Sequence, residues 1–284
     1  MKNIYKISFN DLNIPNADQI FKSIIRISRE YDKNFFLIGA LARDILLEAI
    51  HKRPVQRATL DIDFGVVLSD WHQYEEIMKG LTALAGFKKA RESQRLIYND
   101  SLFVDIVPFG NIAMPDDEIK WPPDYSIVMS TLGFEEVYEH AIDVKFTNDI
   151  SIKVTSLEGL VILKLISWSD RESDKDAVDL RIVLKNYFDI NSDEIYKNHF
   201  DQIQKEDFDY LKCGARVLGR KLSEIIKTNI RLKTKIIELL DKEILEKDYS
   251  KLALAMRLSS SIEEDSEYKT NLELLEELLR GIND

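Results

Sequence analysis

Apolar residues recur along the first half of the chain with two different spacings. Short runs rich in β-branched or other apolar residues occupy Phe35–Ile38, residues 59–68 and residues 102–107, which predicts strands. Apolar side chains three or four positions apart occupy residues 18–31 and 71–84, which predicts helices that bury one face. Together the two patterns predict a mixed sheet with flanking helices.

A further short apolar run lies at residues 95–98, just before the run at 102–107. The intervening residues Asn99, Asp100 and Ser101 are typical of tight turns. We therefore expect the two runs to form neighbouring strands of one pair.

Proline and glycine are concentrated in the first half of the chain. Five of the six prolines lie between Pro54 and Pro123, and glycine is rare after Gly159. Because both residue types interrupt helices, this predicts a mixed domain at residues 1–155 and a nearly all-helical domain at 156–284. The predicted C-terminal helices are 156–169, 173–187 and 208–239.

Composition indicates a folded, soluble protein. Of 284 residues, 45% are hydrophobic and 31% charged, and the formal net charge is −11, which opposes general coating of nucleic acid. No apolar run approaches the ~20 residues that span a bilayer, and the amino terminus lacks the features of a signal peptide. The single cysteine, Cys213, excludes an internal disulfide and a cysteine-based metal site. We therefore expect a cytoplasmic protein with no membrane segment.

Three aspartates lie inside predicted strands, where aspartate is depleted. Asp61 and Asp63 are two positions apart, so their side chains point to the same face of the strand. Their mutual repulsion is relieved if a divalent cation binds between them. If the strand containing Asp105 pairs beside them, three carboxylates converge and can hold one or two Mg²⁺ ions against a triphosphate. The simpler alternative is that all three face solvent.

A possible phosphate-binding turn lies upstream, where the strand Phe35–Ile38 meets a predicted helix at Gly39 and Ala40. Free N–H groups at a helix start favour phosphate, and a glycine lets the backbone approach it closely. Arg43 would lie in the first turn, where it can contact phosphate or pair with Asp44. A plain strand–turn–helix connection is the alternative.

These motifs together resemble the polymerase-β-like nucleotidyltransferase superfamily. Its pattern is a strand with a Gly-Gly or Gly-Ser helix start, an Asp-x-Asp strand and a third carboxylate strand, matched here by Gly39-Ala40, Asp61-Ile62-Asp63 and Asp105. The stretch Gly39–Asp44 is also similar to the Gly-Gly-x-x-Arg-Asp of tRNA nucleotidyltransferases, and residues 57–64 strengthen the match. The resemblance implies an α+β fold, with a small mixed nucleotidyltransferase sheet, flanking helices and a C-terminal helical domain.

A later segment narrows the resemblance to AbiEii-type nucleotidyltransferases. Their third motif spaces Lys, Arg, Asp and Asp as in Lys164, Arg171, Asp176 and Asp179. The residues alone leave other roles open, because Ser173 and Asp176 fit a helix capping box and Arg171 with Asp179 fits a structural ion pair.

The resemblance implies a role for each matched residue. Gly39 lies against the nucleotide phosphates, Asp61 and Asp63 bind the metal, and Lys164 contacts the triphosphate. Asp176 completes the site from the helical domain, which contributes to the active-site cleft.

Two further positions follow from the same resemblance. Asp105 fits the third carboxylate, which serves as a base or a metal ligand. Ala40 departs from the family pattern, since the usual serine there offers a phosphate contact that a methyl group cannot make.

The resemblance also implies the reaction. With Mg²⁺ or Mn²⁺, the enzyme transfers NMP from an NTP to an acceptor hydroxyl, for which tRNA is one candidate, and a cognate antitoxin protein is the expected partner. One alternative is transfer to a small aminoglycoside-like molecule, which suits an acidic protein. A degenerate nucleotide-binding or partner-binding module, motivated by Ala40, is the other.

One segment is strongly basic. Residues 205–236 carry nine basic and four acidic side chains, followed by an acidic stretch to the end of the chain. The segment predicts either a solvated helix face neutralised by the acidic tail or a grip on an RNA acceptor.

Overall fold

The computed structural model describes residues 5–55, 61–147, 150–204, 206–246, 249–257 and 264–284. The chain forms two compact units, Met1–Ser156 and Leu157–Asp284. No helix in the described part of the chain is long and apolar enough to cross a membrane.

The first unit is built on strands with a few helices. Its strands are β1 (Tyr5–Ile7), β2 (Phe35–Ile38), β3 (Asp61–Val67), β4 (Phe87–Lys89), β5 (Arg95–Tyr98), β6 (Leu102–Phe109), β7 (Glu118–Trp121), β8 (Ile127–Ser130), β9 (Ile142–Phe146) and β10 (Ser151–Val154). Its α-helices are α1 (Ala17–Glu30), α2 (Gly39–Asp44), α3 (Trp71–Thr82) and α4 (Phe134–Glu139), and a π-helical segment at Ile45–Ile50 continues α2.

Among the described residues, eight of these strands form one mixed sheet in the order β1-β9-β10-β2-β3-β6-β5-β4, and β7 pairs with β8. At the centre of the large sheet, β3 runs antiparallel to β2 and parallel to β6. β5 and β6 form the predicted antiparallel pair, joined through Asn99 and Asp100, which both have positive φ angles. The mixed sheet is confirmed, but it is wider than predicted, because strands of three residues, such as β1 and β4, are too short to show an alternating pattern.

The two faces of this sheet have different surroundings. On one face, Ile62, Phe64 and Val66 of β3 are at most 1% exposed and join the main core, where the Phe21 ring of α1 packs edge-on against Phe64. On the other face, α4 covers part of the sheet, with Phe134 packing against Phe36 of β2. The aspartates of β3 lie on this second face. Of the predicted strand 59–68, residues 59 and 60 lie outside the described residues.

The second unit is helical where it is described. Its helices are α5 (Leu157–Arg171), α6 (Asp174–Ile190), α7 (Ser192–Asn198), α8 (Phe200–Ile203), α9 (Tyr210–Ile226), α10 (Ile230–Leu245), α11 (Lys251–Ala255) and α12 (Glu264–Ile282). α9 packs closely on α12, because a Cβ atom at Gly219 would lie 2.2 Å from the Leu278 carbonyl oxygen. The single helix predicted at 208–239 is wrong. It breaks after Ile226 because the Asn229 side chain accepts a hydrogen bond from the Leu232 N–H and starts α10.

Candidate active site

A row of paired residues crosses four strands of the large sheet at its polar face. Ile38 of β2 pairs with Asp63 of β3, Asp63 with Asp105 of β6, and Asp105 with Arg95 of β5. Paired residues on neighbouring strands project to the same face, and Asp61 shares that face because it lies two positions before Asp63. The fold therefore brings the three predicted aspartates to one face of the sheet.

Gly39 lies directly against one of these carboxylates. Its φ angle is +71°, in the left-handed region, and a Cβ atom there would lie 2.1 Å from Asp63 Oδ2 and 2.9 Å from Asp63 Cγ. A side chain of any size at position 39 would have to displace the carboxylate. The turn that starts α2 therefore packs directly against the Asp63 carboxylate.

The next residues of α2 differ in their surroundings. Ala40 is partly exposed and presents only its methyl group. Arg43 is completely buried, and its Nε and Nη2 donate to Asp44 Oδ1 at 2.8 and 2.5 Å. This is the ion pair that was one of the two predicted roles of Arg43, and full burial does not favour the other role, direct contact with phosphate.

Both oxygens of Asp105 are bound by one cation. Arg95 Nε donates to Asp105 Oδ1 at 2.8 Å, and Arg95 Nη2 donates to Asp105 Oδ2 at 2.7 Å. The Arg95 guanidinium also lies over the Phe103 ring, 4.7 Å from its centroid. The hydrogen bonds to Asp105, with further attraction from Asp105 and Asp61, raise the pKa of Arg95 well above its usual value although partial burial opposes this.

Sequence reasoning missed Arg95, although a signal was present. The pair 95–98 and 102–107 around the turn at 99–101 was predicted, and continuing its register places residue 95 opposite residue 105. The cross-strand arginine follows from that pairing alone.

The donor set of this face fits a magnesium ion. Asp61 and Asp63 are partly exposed carboxylates on one side of β3. Mg²⁺ prefers oxygen ligands and is commonly held by one or two carboxylates together with substrate phosphates. The described residues contain no group of three or more histidine, cysteine or acidic side chains that could hold a metal. The geometry therefore fits a site with two carboxylates, and the role of Asp105 as a third ligand stays a prediction that its pairing with Arg95 does not favour.

The helical unit contains a second cluster of charges. Lys164 Nζ of α5 lies 2.9 Å from Asp176 Oδ1 and 2.6 Å from Asp179 Oδ2 of α6, and both aspartates are only 1% exposed. Arg171 Nε and Nη2 donate to Asp176 at 2.8 and 3.0 Å. Burial alone would raise the pKa of Asp176, but the hydrogen bond from Arg171 and the charges of Lys164 and Arg171 outweigh it and lower that pKa.

One expectation about this cluster is wrong. Ser173 precedes α6 but makes no side-chain capping bond, so Asp176 is not part of a capping box. Arg171 pairs with Asp176, and the ion pair between Arg171 and Asp179 stays a prediction. Instead of capping α6, the Asp176 carboxylate accepts hydrogen bonds from Lys164 and Arg171 of α5.

The basic segment is neutralised along α9. Lys212 pairs with Glu273, and Lys221 pairs with Glu194. The basic residues of the adjacent turns, Arg216 and Arg220, both pair with Asp284. Except for the contact with Glu194, which precedes the segment, these pairs match the alternative in which the acidic tail neutralises this helix.

Several solved structures resemble the chain distantly. The lincosamide antibiotic adenylyltransferase LnuA, bound to lincomycin, is 17% identical over 59% of this chain and 95% of its own, with a TM-score of 0.38. A CCA-adding enzyme in complex with ATP is 12% identical over 91% of this chain and 67% of its own, with a TM-score of 0.34. The cyclic dinucleotide synthase CdnE from Elizabethkingia meningoseptica, with GTP and Apcpp, is 11% identical over 97% and 93%, with a TM-score of 0.29. Similarities this distant assign no substrate.

Sequence comparison at the family level is more decisive. A search of curated proteins finds no match. A family profile, by contrast, matches residues 26–267, which span both units and every predicted site residue. The chain belongs to the AbiEii family of nucleotidyl transferase toxins of type IV toxin–antitoxin systems.

Proposed function

We propose that this nucleotidyltransferase transfers NMP from an NTP to an acceptor hydroxyl, with Mg²⁺ held by Asp61 and Asp63. Family membership supplies the reaction class. The observation that carries the site assignment is the contact between Gly39 and the Asp63 carboxylate, with Asp61 on the same face. A glycine turn can approach the phosphates of an NTP, and the adjacent carboxylate pair can bind the Mg²⁺ ion that accompanies them.

In the proposed reaction, the acceptor oxygen forms a bond to the α-phosphorus, and the bond from the α-phosphorus to the bridging oxygen of the β-phosphate breaks. Pyrophosphate leaves, and the hydroxyl proton passes to a base. The residues of this chain position the triphosphate: Asp61 and Asp63 through the metal, and Gly39 through a backbone that lacks a side chain. The metal, when bound, offsets the negative charge of the phosphates.

The roles of Lys164 in triphosphate binding and of Asp176 in completing the site stay predictions. The family resemblance gives Lys164 to the triphosphate, while in the structure its ammonium lies between two buried carboxylates. The described contacts support a positioning role for Asp176, because both of its oxygens accept hydrogen bonds from cations.

For the acceptor, we propose tRNA, supported by the similarity of Gly39–Asp44 to the tRNA nucleotidyltransferase motif. The family also implies a cognate antitoxin. A small hydroxylated amine is the second candidate, favoured by the ion pairs that neutralise Lys212, Arg216 and Arg220 of α9. Cations of a protein favour RNA binding by neutralising phosphates, which releases the counterions of the RNA. Cations that are already paired with carboxylates contribute less to this effect.

The test incubates the protein and Mg²⁺ with each α-labelled NTP, offering bulk tRNA or a panel of aminoglycosides as acceptor. We expect label in tRNA and release of pyrophosphate. Asp61→Asn and Asp63→Asn each remove a metal-binding charge and should lower transfer about a thousandfold or more.

The matched control is Asp100→Asn. Asp100 is an exposed turn residue with a φ of +57°, a conformation that asparagine adopts easily, so its transfer rate should equal that of the wild type. Transfer that survives in Asp61→Asn and Asp63→Asn would refute the site. Label found only in an aminoglycoside would replace the tRNA proposal with the second candidate.

A further inference from the structure

The guanidinium of Arg95 is bound to Asp105, while the Arg95 side chain keeps part of its surface in solvent. Arginine has five N–H donors in a planar fork. Two of them, one on Nε and one on Nη2, are used by Asp105. In the described part of the chain, Nη1 donates no hydrogen bond. The side chain is 25% exposed, while Asp105 beneath it is 10% exposed.

Three contacts hold this guanidinium in place. The bidentate bond to Asp105 fixes its plane, the Phe103 ring lies under it, and the register of the β5–β6 pair fixes its backbone. A cation held this firmly loses little side-chain entropy when a ligand binds.

Arg95 lies on the same sheet face as the proposed metal ligands. Asp105 separates it from Asp63 in the row of paired residues, so Arg95 lies two strands from Asp63, roughly 10 Å along the sheet. The strand register places Arg95 on the same face as Asp63 and Asp61. A triphosphate bound at Asp61 and Asp63 spans a distance of this order.

We propose that Arg95 binds a phosphate group of the NTP, and that Asp105 is the positioning residue that holds Arg95 for this contact. The inference rests on the proposed function, and it gives Asp105 a role other than metal ligand or base. Both oxygens of Asp105 already accept hydrogen bonds, so a role in metal binding or proton transfer would first require breaking the bidentate pair.

The experiment measures equilibrium binding of each of the four NTPs with Mg²⁺ and, separately, competition by inorganic tripolyphosphate. Arg95→Ala should raise the Kd for the NTP and the inhibition constant of tripolyphosphate about 10- to 100-fold, as expected for a lost charge-assisted hydrogen bond. Binding of the nucleoside without phosphates should not change, and a purely structural role would not separate these two readouts.

Three further variants define the role of Asp105. Arg95→Lys keeps the charge but loses the fork, so it should restore part of the affinity. Asp105→Asn should weaken NTP binding less than Arg95→Ala, with kcat changed far less than in Asp61→Asn. If Arg95→Ala fails to fold, as judged by circular dichroism, the binding measurement uses the double variant Arg95→Gln with Asp105→Asn instead. This variant keeps a hydrogen-bonded pair but removes both charges. Lys88→Ala, which removes an exposed ion pair with Asp100, is the control and should bind NTP normally.

Each contrary result has a distinct meaning. Wild-type protein that binds no NTP would refute the proposed function itself. Wild-type affinity in Arg95→Ala would refute only the phosphate contact. A rise confined to the KM of the RNA acceptor would also refute it, since the phosphate would then belong to the acceptor. Loss of kcat in Asp105→Asn equal to that in Asp61→Asn, with unchanged NTP binding, would refute the positioning role.

Discussion

The two units each contain a cluster of aspartates with basic partners, and the clusters are built in opposite ways. On the sheet, Asp61 and Asp63 are partly exposed, and the Arg95 guanidinium keeps part of its surface in solvent. Between α5 and α6, Asp176 and Asp179 are only 1% exposed, and Lys164 is 12% exposed. The same residue types therefore form an open cluster on the sheet and a closed cluster between the helices.

The difference shows what decides whether carboxylates are available to a ligand. A carboxylate that accepts from two cations in a buried place has few lone pairs left, and separating it from them is costly. Asp61 and Asp63 on the sheet face, next to the Gly39 turn, are instead partly exposed, so a ligand from solvent can approach them. We propose that the closed cluster principally stabilises the helical unit, while the open cluster carries the chemistry.

The largest expected effect comes from opening the closed cluster. Asp176→Ala removes the carboxylate that accepts from both Lys164 and Arg171 and joins α6 to α5. The free energy of unfolding should therefore fall by about 3–5 kcal/mol. Urea unfolding of the variant measures this loss. Asp174→Ala, at an exposed position of the same helix turn, is the control and should cost less than about 1 kcal/mol.

The stabilisation by Asp176 and its cationic partners should also depend on pH. The pKa of Asp176 is lowered below the usual carboxyl value of 3.8, so its stabilising contribution is complete above that value and is lost as the pH falls through the lowered pKa. The difference in unfolding free energy between wild type and Asp176→Asn should therefore be constant near neutral pH and shrink below about pH 4. A fully stable but inactive Asp176→Ala would contradict the comparison and assign Asp176 to the chemistry.

An intermediate effect is expected at Gly39 in the open cluster. Gly39→Ala forces a left-handed φ on a residue with a Cβ atom, which costs about 1–3 kcal/mol, and places that atom against Asp63 Oδ2. Because the carboxylate must move, NMP transfer should fall at least about a hundredfold even in folded protein.

Gly86→Ala is the matched control for Gly39→Ala. Gly86 also has a positive φ, +93°, but its neighbours are Tyr98 and Asn99. It should lose similar stability and keep its transfer rate, measured well below the unfolding midpoint. Equal loss of transfer in both variants would mean that strain alone, and not the Asp63 contact, explains the effect.

The sequence predicts the open cluster well because its parts are local. Asp61 and Asp63 share a face by strand periodicity alone, and Gly39 follows a short apolar run. The pairing of Arg95 with Asp105 was also within reach, since it follows from the turn between β5 and β6. By contrast, the contact of Gly39 with Asp63 depends on the antiparallel register of β2 and β3, which are distant in sequence.

The closed cluster was harder to predict. Ser173 and Asp176 have the spacing of a capping box, and only the packing of α5 on α6 decides that Asp176 turns to Lys164 and Arg171 instead. The split of the predicted helix 208–239 likewise depends on one side chain, Asn229, within a segment whose apolar spacing continues on both sides. Local patterns specify elements, whereas these contacts depend on tertiary packing.

The smallest expected effect is a gain at Ala40, the residue of the open cluster that departs from the family pattern. Ala40→Ser adds a hydroxyl to a partly exposed position next to Gly39, where a phosphate of the NTP can accept its hydrogen bond. One neutral hydrogen bond contributes about 0.5–1.5 kcal/mol, so kcat/KM for NTP should rise about 2- to 10-fold, with little change in unfolding free energy.

Ala40→Cys separates the hydroxyl from the added volume, since a thiol is of similar size but a weak donor. A gain with serine and none with cysteine would show that a side-chain donor at position 40 reaches the phosphate. No gain with either would mean that phosphate binding at this turn depends on the backbone around Gly39 and on cations such as Arg95. In that case the open cluster works without a hydroxyl, and Ala40 is compatible with full activity.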